Sequence, residues 1–230
     1  MAKYRQAQSA AGRPRTPARP PCPGLAGPAW PGLAALVRGA PAPAAPGPAK
    51  EDSVQWLNEP AQWAAEPGLL TVTADAGTDF WRTTSYGYVR DDGHLYGEIA
   101  AGDFDLSMRL SGAYAEQYDQ AGAMVRVDER HWLKAGVEYF DGRMRFSTVV
   151  TNDYSSWAVA DLPAAAGELG LFLARRGDAV EVRYAVDGAE PDLAALVYLP
   201  PGTALAGAMC AAPEGPGFPA SFRGLLITPR

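Results

Sequence analysis

The chain has 230 residues, a hydrophobic content of 47% and a net charge of −6, which fits one or two domains with a true core. This acidic balance argues against nucleic-acid binding by the folded part, and no stretch is long and apolar enough to span a membrane. Two cysteines, Cys22 and Cys210, are too few for a disulfide framework. We therefore expect a cytoplasmic protein in which Cys210 is a buried thiol.

Residues 1–50 differ sharply from the rest of the chain. They hold 11 of the 21 prolines and seven lysines or arginines without any acid, so the remainder carries −13. Such a segment cannot bury enough apolar surface to offset its ordering entropy, and we predict a disordered leader over residues 1–52. A secretory signal is disfavoured because no uninterrupted apolar region exists. A transit peptide and a basic arm for anionic partners remain as alternatives.

Residues 53–230 contain short segments in which apolar and polar residues alternate, a pattern typical of half-buried strands. Between them, Thr78–Tyr88 is aromatic and too rich in glycine and polar residues for a helix, and Asp91-Asp92-Gly93 predicts a turn. We predict about eleven strands and an all-β sandwich. They lie at residues 69–73, 104–110, 120–127, 131–140, 143–152, 155–160, 169–173, 180–186, 193–199, 204–211 and 221–228.

The central stretch, residues 118–152, predicts three antiparallel strands. Asp141-Gly142 is the signal for a two-residue type I′ turn, which places Phe140 opposite Arg143, Val137 opposite Phe146 and Leu133 opposite Val150. A three-residue loop at 128–130 then places Val127 opposite His131 and Val125 opposite Leu133. This register keeps the apolar residues on one face, as a sheet with one buried face demands.

The second face of this meander is polar and aromatic. In the predicted register Gln120 lies opposite Glu138, Gly122 opposite Gly136, Met124 opposite Lys134 and Arg126 opposite Trp132, while Glu138 faces Arg145 as a cross-strand charge pair. The interpretation is a ligand-binding surface. Its predicted binding residues are Gln120, Arg126, Trp132, Lys134, Glu138 and Arg145.

Several motifs occur together in the chain. They are Asp79-Phe80-Trp81-Arg82, Tyr86-Gly87, residues 119–124, residues 132–138, Val149-Val150-Thr151 and Ser155-Ser156-Trp157. In combination they resemble a known family, the bacterial and fungal domains of unknown function labelled "regulation of enolase protein". The resemblance covers about residues 53–228 and implies a concanavalin A-like jelly roll of two antiparallel sheets with a possible sugar-binding ancestry. The segment around residues 121–139 is also similar to jelly-roll modules of some β-xylosidases.

The catalytic residues of a glycosidase are not evident in the sequence. Glycosidases need two carboxylates about 5–10 Å apart across a cleft, and the Glu-x-Asp-x-x-Glu strand pattern of related glucanases is absent. Glu138 is the best single carboxylate, but pairing with Arg145 would keep it ionised and unsuited to general-acid work. Asp119 alternates with Gln120 and is expected to point elsewhere. We expect no catalytic residues, although a cryptic hydrolase stays open.

Aromatic side chains supply the other half of the expected binding chemistry. Trp132, together with Trp81, Trp157, Tyr86 and Tyr88, can offer a platform for the apolar face of a sugar ring. The alternative is that these side chains fill the sandwich or its rim, which we favour for Trp81 and Trp157.

Metal and cofactor sites are not predicted. His94 and His131 are far apart in the sequence and lack partners at ligand spacing. Calcium held by the Asp91-Asp92-Gly93 turn is the alternative to an ordinary solvated turn. Ser155-Ser156 has no nearby histidine, and no phosphate or dinucleotide motif occurs.

These observations favour a non-catalytic module at residues 53–230 that binds a carbohydrate-like ligand on its concave sheet face. Trp132 would stack on the ligand, Glu138 and Gln120 would accept hydrogen bonds, and Lys134 and Arg145 would donate them. An intracellular protein-interaction or regulatory domain is the second hypothesis. The ligand's identity and the oligomeric state are left open.

Overall fold

The computed structural model describes residues 54–164 and 166–230. The predicted leader and Cys22 lie outside these residues. The described part contains sixteen β-strands, and no helix of the length and apolarity needed to cross a bilayer occurs in it. The strands are β1 (Val54–Leu57), β2 (Gln62–Glu66), β3 (Leu69–Asp75), β4 (Phe80–Arg82), β5 (Val89–Asp91), β6 (His94–Ala100), β7 (Phe104–Gly112), β8 (Gln120–Asp128), β9 (His131–Phe140), β10 (Arg143–Asn152), β11 (Tyr154–Asp161), β12 (Leu169–Arg176), β13 (Ala179–Val186), β14 (Asp192–Tyr198), β15 (Ala204–Ala211) and β16 (Gly217–Pro229).

Fourteen of these strands form two seven-stranded antiparallel sheets. Sheet 1 has the order β1-β6-β15-β8-β9-β10-β11, and sheet 2 has the order β14-β13-β12-β7-β16-β3-β2. The remaining two strands, β4 and β5, form a small hairpin of their own. The predicted all-β sandwich of two antiparallel sheets is confirmed.

The main core lies between the two sheets. Strand β7 shows why, because its Phe104, Leu106, Met108 and Leu110 alternate with polar residues and are at most 3% exposed. Sheet 1 contributes the inward residues of the central meander, including Leu133, to the same core. Each such side chain stabilises the fold by about 1.5–3 kcal/mol when fully buried.

The predicted register of the central meander is confirmed over almost its whole length. Phe140 pairs with Arg143 and Val137 with Phe146 across the β9–β10 turn. Between β8 and β9, Val125 pairs with Leu133 and Gln120 with Glu138. Asp141 and Gly142 both have positive φ, at 52° and 76°, as a type I′ turn requires.

The β8–β9 turn differs from the prediction by one residue. His131 pairs with Asp128 and not with Val127, because a bulge lies between Arg126 and Asp128. The Asp128 carboxylate explains the tighter turn, since it accepts hydrogen bonds from Arg130 N and from His131 Nδ1, both at 2.8 Å. The bulge leaves the pairing of the site residues unchanged.

Candidate functional site

The outer face of sheet 1, which points away from the main core, is covered in part by a flap that we define as residues 78–93. The flap contains the β4–β5 hairpin and buries its own small core against the sheet. Phe80 is 0% exposed and Trp81 is 9% exposed. The sheet residues beneath them are Leu95, Met124, Trp132, Val149 and Met209.

Trp132 lies beneath this flap. Its side chain is 1% exposed, and its ring lies 6.1 Å from that of Phe80 between centroids. A ligand that stacks on an aromatic ring must reach its face, so Trp132 cannot serve as the predicted platform in this arrangement. The sequence placed it on the correct face of the sheet, but gave no sign that the flap covers that face.

Polar contacts also hold the flap on the sheet. The Arg126 guanidinium pairs with Asp91 at 2.5 Å, and Arg82 N donates to Ser155 Oγ at 2.9 Å. Ser155 also bonds to Thr151, so this serine anchors the flap. Arg126 therefore lies on the predicted face, but its side chain holds strand β5 of the flap on the sheet.

Lys134 is a buried cation at the edge of the flap. It is 5% exposed, and its Nζ donates to Phe80 O at 2.7 Å and to Gln120 Oε1 at 2.6 Å. The Asp79 carboxylate lies 3.5 Å from the same atom and accepts from Gln120 Nε2. Gln120 and Lys134 are thus brought together as predicted, with Asp79 as a partner that the sequence did not reveal.

Glu138 lies on the same face of β9 as Lys134, four residues further along the strand, and is 7% exposed. Its Oε2 accepts from Trp157 Nε1 at 2.9 Å, and the same N–H lies 3.0 Å from Ser147 Oγ. Burial raises the pKa of the Glu138 carboxyl, with smaller opposing effects from Lys134 and from the hydrogen bonds of Ser147 and Trp157.

Arg145 does not form the predicted pair with Glu138. The two residues are opposite each other on β9 and β10, but Arg145 pairs with Asp161 of β11 at 2.8 Å and packs over the Phe140 ring at 5.4 Å. The charge pair expected to hold Glu138 ionised is therefore absent, and the Glu138 pKa rises.

Two tyrosines reach the same place from different loops. Tyr86 lies at the tip of the flap and is 40% exposed, while Tyr118 lies in the β7–β8 loop (residues 113–119). Burial raises the pKa of Tyr118 to about 12, and the nearby Tyr86 and Glu138 add to that effect. The aromatic motif of the sequence includes Tyr86, but no local pattern points to Tyr118, whose position depends on this loop.

Tyr118, Phe140 and Trp157 form an aromatic wall beside Glu138. Tyr118 stacks on Phe140 at 5.8 Å between centroids, and Phe140 meets Trp157 edge to face at 4.9 Å. Trp157 is only partly buried, so its indole and the Tyr118 ring can meet a ligand. Trp157 was expected to be a packing residue, yet it is the tryptophan that contacts the carboxylate of the site.

Glycine forms the floor of this site. Gly122 and Gly136 are direct partners on β8 and β9. Gly136 lies in the wall of a narrow pocket that is also lined by Gln120, Lys134, Glu138, Ser147 and Met209. Its cavity volume is about 10 Å³, which is close to what one water molecule needs. A sugar-sized ligand therefore fits only if neighbouring side chains move.

The carboxylates around Glu138 are engaged in structural contacts. Asp119 Oδ2 accepts from the main-chain N–H groups of Ala115 and Glu116 at 3.0 and 2.9 Å. Asp79 Oδ1 accepts hydrogen bonds from the N–H of the next residue, Phe80, and from Gln120 Nε2. Glu138 is therefore surrounded by neutral and cationic hydrogen-bond donors. This arrangement suits ligand binding by one carboxylate better than hydrolysis, which needs two.

Neither histidine is arranged for metal binding. His94 Nε2 accepts from Asp75 N at 3.0 Å and its Nδ1 faces Asn58 O at 2.6 Å, so Nδ1 carries the proton. At the predicted turn, Asp91 pairs with Arg126 and Asp92 with Arg90. Within residues 54–164 and 166–230 no group of three or more His, Cys, Asp or Glu side chains is placed to hold a metal.

The Glu138→Gln variant is expected to be more stable than the wild type at neutral pH. Because burial raises the pKa of Glu138, the folded wild type must ionise this group at a cost that the unfolded chain avoids. The gain is absent below the unfolded pKa of about 4.3, grows as pH rises and levels off above the folded pKa. Thermal melts from pH 4 to pH 8 measure it, and about 2–4 °C corresponds to each kcal/mol.

The control for this variant is Glu98→Gln, since Glu98 is only partly buried and lies on β6 outside the pocket. A Glu138→Gln variant that loses stability at pH 7 would contradict this prediction. It would show that the hydrogen bond from Trp157 stabilises the ionised carboxylate by more than burial destabilises it.

Comparisons with known proteins agree with this fold. The profile of the family described as "Protein of unknown function (DUF1349)" matches residues 56–230. A Saccharomyces cerevisiae protein named "Regulation of enolase protein 1" is 38% identical over 174 residues, which cover 75% of this chain and 88% of that protein.

Solved structures resemble the chain in the same region. A crystal structure of a functionally unknown protein from Saccharomyces cerevisiae has a TM-score of 0.74 and 36% identity, covering 78% of this chain and 97% of that one. A mutant GH43 protein from Bacillus licheniformis has a TM-score of 0.62 at 12% identity and is covered over 37% of its length against 77% here. A legume lectin-like domain from Entamoeba histolytica has a TM-score of 0.52 at 7% identity, with coverage of 78% and 91%. The fold is a concanavalin A-like jelly roll.

Proposed function

Since the chain belongs to the DUF1349 family of proteins of unknown function, its site must suggest its role, and we propose a non-catalytic module that binds a carbohydrate-like ligand. The ligand would bind on the outer face of sheet 1, beside the flap. The observation that carries the proposal is the buried carboxylate of Glu138, which lies next to Lys134 and Gln120 and beneath an aromatic rim.

Sugars combine hydroxyl groups with apolar C–H faces. A site that suits them pairs a few fixed polar groups with amphipathic aromatic rings. Here Glu138 would accept from ligand hydroxyls, while Lys134 and Gln120 would complete the polar floor. Tyr118, Trp157 and Tyr86 would provide the ring contacts first assigned to Trp132.

The remaining predicted binding residues would support the site without contacting the ligand. Arg126 and Trp132 would hold the flap that forms one wall of the site. Arg145 would fix Phe140, which supports the rings of Tyr118 and Trp157. This division keeps all six predicted residues in the proposal but gives direct ligand contact to Gln120, Lys134 and Glu138.

The comparisons support a carbohydrate ligand through the fold alone. Neighbouring structures at identities of 7–16% include a domain described as legume lectin-like and proteins described as GH43 glycoside hydrolases.

The test is a glycan-array screen of the whole chain, with wild type beside Trp157→Ala. Stacking on one aromatic ring is worth about 1–3 kcal/mol by analogy with base stacking, so the variant is expected to lose roughly 5- to 150-fold in affinity. Trp63→Ala is the matched control, because Trp63 is 40% exposed and lies on β2 of sheet 2. Equal glycan binding by wild type and Trp157→Ala, or no binding by either, would refute the proposal.

A regulatory protein-interaction domain is the second candidate. The name of the yeast relative points to it, and so does edge strand β14, where Leu193, Leu196 and Tyr198 are each at least 56% exposed. Exposed apolar residues on a sheet edge favour association with another chain. Size-exclusion chromatography of the purified protein with purified enolase tests this candidate, and elution of the two proteins as separate peaks at micromolar concentration would count against it.

A further inference from the structure

Sheet 1 ends at strand β11, whose outer edge carries unpaired main-chain N–H and C=O groups. Within residues 54–164 and 166–230, β11 pairs with β10 over Tyr154–Asp161 and with no other strand. All eight residues of β11 take part in this pairing, and no bulge interrupts it. A regular free edge of this length is a template for another extended strand.

The other three edges of the two described sheets are each blunted by a local feature. Strand β1 has only four residues. Strand β2 has five residues, ends at Glu66 and is followed by Pro67. The pairing of β14 with β13 is interrupted by a bulge between Val182 and Arg183. Because short strands, charges, prolines and bulges hinder the addition of a further strand, β11 is the edge that the fold leaves open.

The composition of β11 also favours a close neighbour. The strand contains no lysine, arginine or proline, and its one charged residue, Asp161, lies at its end. Ser156, Ala158 and Ala160 are small and exposed, so the main chain of a second strand can approach this edge. Val159 is 37% exposed and adds apolar surface that a neighbour would cover.

Two copies of β11 are compatible with each other when they run antiparallel. If a two-fold axis passes beside Trp157, this residue is opposite its own copy and Ser156 is opposite Ala158. Cross-strand aromatic pairs stabilise a sheet, whereas like charges directly opposite each other destabilise it. Asp161 lies beyond the paired residues 154–160, so no like charges are opposite each other. The strand therefore fits a second copy of itself.

We propose that two copies of this chain associate along β11 and join their first sheets, each of seven strands, into one continuous sheet. Opposite residues in antiparallel strands point to the same face, so a two-fold axis keeps both outer faces on one side. Glu138 and Trp157 of both copies then lie on that side of the dimer. The association itself does not depend on the ligand proposed above.

The dimer is expected to be weak, because a contact built on one strand pair is at the small end of specific interfaces, below about 1,200 Å² in total. Sedimentation equilibrium of the full chain from about 1 to 100 µM covers the affinities of such contacts. We expect the apparent mass of the wild type to rise with concentration from 24.3 kDa toward twice that value.

Ala158→Lys and Ala160→Lys are the test variants. Both alanines are exposed, so the single chain should fold normally, and a lysine on an edge strand hinders pairing with another strand. Each variant is expected to weaken association by about tenfold or more. Ala64→Lys is the matched control, since it makes the same change at an exposed alanine of β2, and it should associate as the wild type does. Circular dichroism melts check that all variants are folded.

A wild type that keeps the mass of one chain at about 100 µM would overturn the inference and leave β11 to an extended segment of another protein. Association as strong as that of the wild type in both β11 variants would also overturn it, because the contact would then lie elsewhere. An equal loss of association in Ala64→Lys would do the same, since it would show an effect of net charge and not of this edge.

Discussion

Replacing Trp132 with alanine is expected to destabilise the domain by about 3–5 kcal/mol, the usual cost of truncating a buried tryptophan. The indole is 1% exposed and lies among Phe80, Met124 and Val149 in the core beneath the flap. Its loss leaves a cavity that the flap, held on the sheet by Arg126 and Lys134, cannot fill by collapse.

Urea unfolding followed by far-ultraviolet circular dichroism measures this effect. The slope of the transition should stay the same while its midpoint falls. Trp63→Ala is the matched control, since the same truncation at a side chain that is 40% exposed should cost much less. Any loss of glycan binding in Trp132→Ala should follow the loss of folded protein.

The opposite result would restore the stacking role first predicted for Trp132. If the variant unfolded within about 1 kcal/mol of the wild type and yet lost all glycan binding, the flap would have to stand open in solution. The outer face of sheet 1 would then be open to a ligand at Trp132.

Local signals predicted the meander well because its geometry is fixed by neighbours in the chain. The two positive φ values at Asp141 and Gly142 set the β9–β10 register, and alternation then assigns every side chain to a face. Even the one register error, at Val127, comes from a side-chain effect, because Asp128 caps the turn by accepting a hydrogen bond from Arg130 N.

The flap escaped prediction because long-range contacts position it. Lys134 reaches Phe80 across 54 residues of sequence, and Arg126 reaches Asp91 across 35. An aromatic, glycine-containing segment has no periodicity that indicates which surface it will cover. The register places Trp132 on a polar face opposite Arg126, and this position alone predicts an exposed indole.

The partner of Glu138 was mistaken for a related reason. The register determines which residues are opposite each other, but a long side chain can pair with residues on either of the two adjacent strands. Arg145 turns to Asp161 on β11, whose pairing with β10 was not predicted. Glu138 instead accepts a hydrogen bond from Trp157 of β11, which lies two strands away in sheet 1.

A second large loss of stability is expected from a substitution in the glycine pair at the floor of the site. Gly122 and Gly136 were predicted to be opposite each other, and they are. A Cβ on Gly136 would lie 2.2 Å from Ala121 O and 2.5 Å from the Gly122 Cα, well inside contact distance. Because main chain and not a flexible side chain is in the way, Gly136→Ala is expected to cost more than the roughly 1–3 kcal/mol of ordinary overpacking.

Gly170→Ala is the matched control for this substitution. Gly170 also lies in a central strand, β12, but a Cβ there would meet Phe172 at 3.4 Å and Ala185 at 3.7 Å, which is normal packing. Urea unfolding should place Gly170→Ala within about 1 kcal/mol of the wild type and Gly136→Ala far below it. Equal stability of both variants would mean that β8 and β9 can separate enough for a methyl group. The floor of the site would then not require glycine, and the pocket could not owe its depth to this pair.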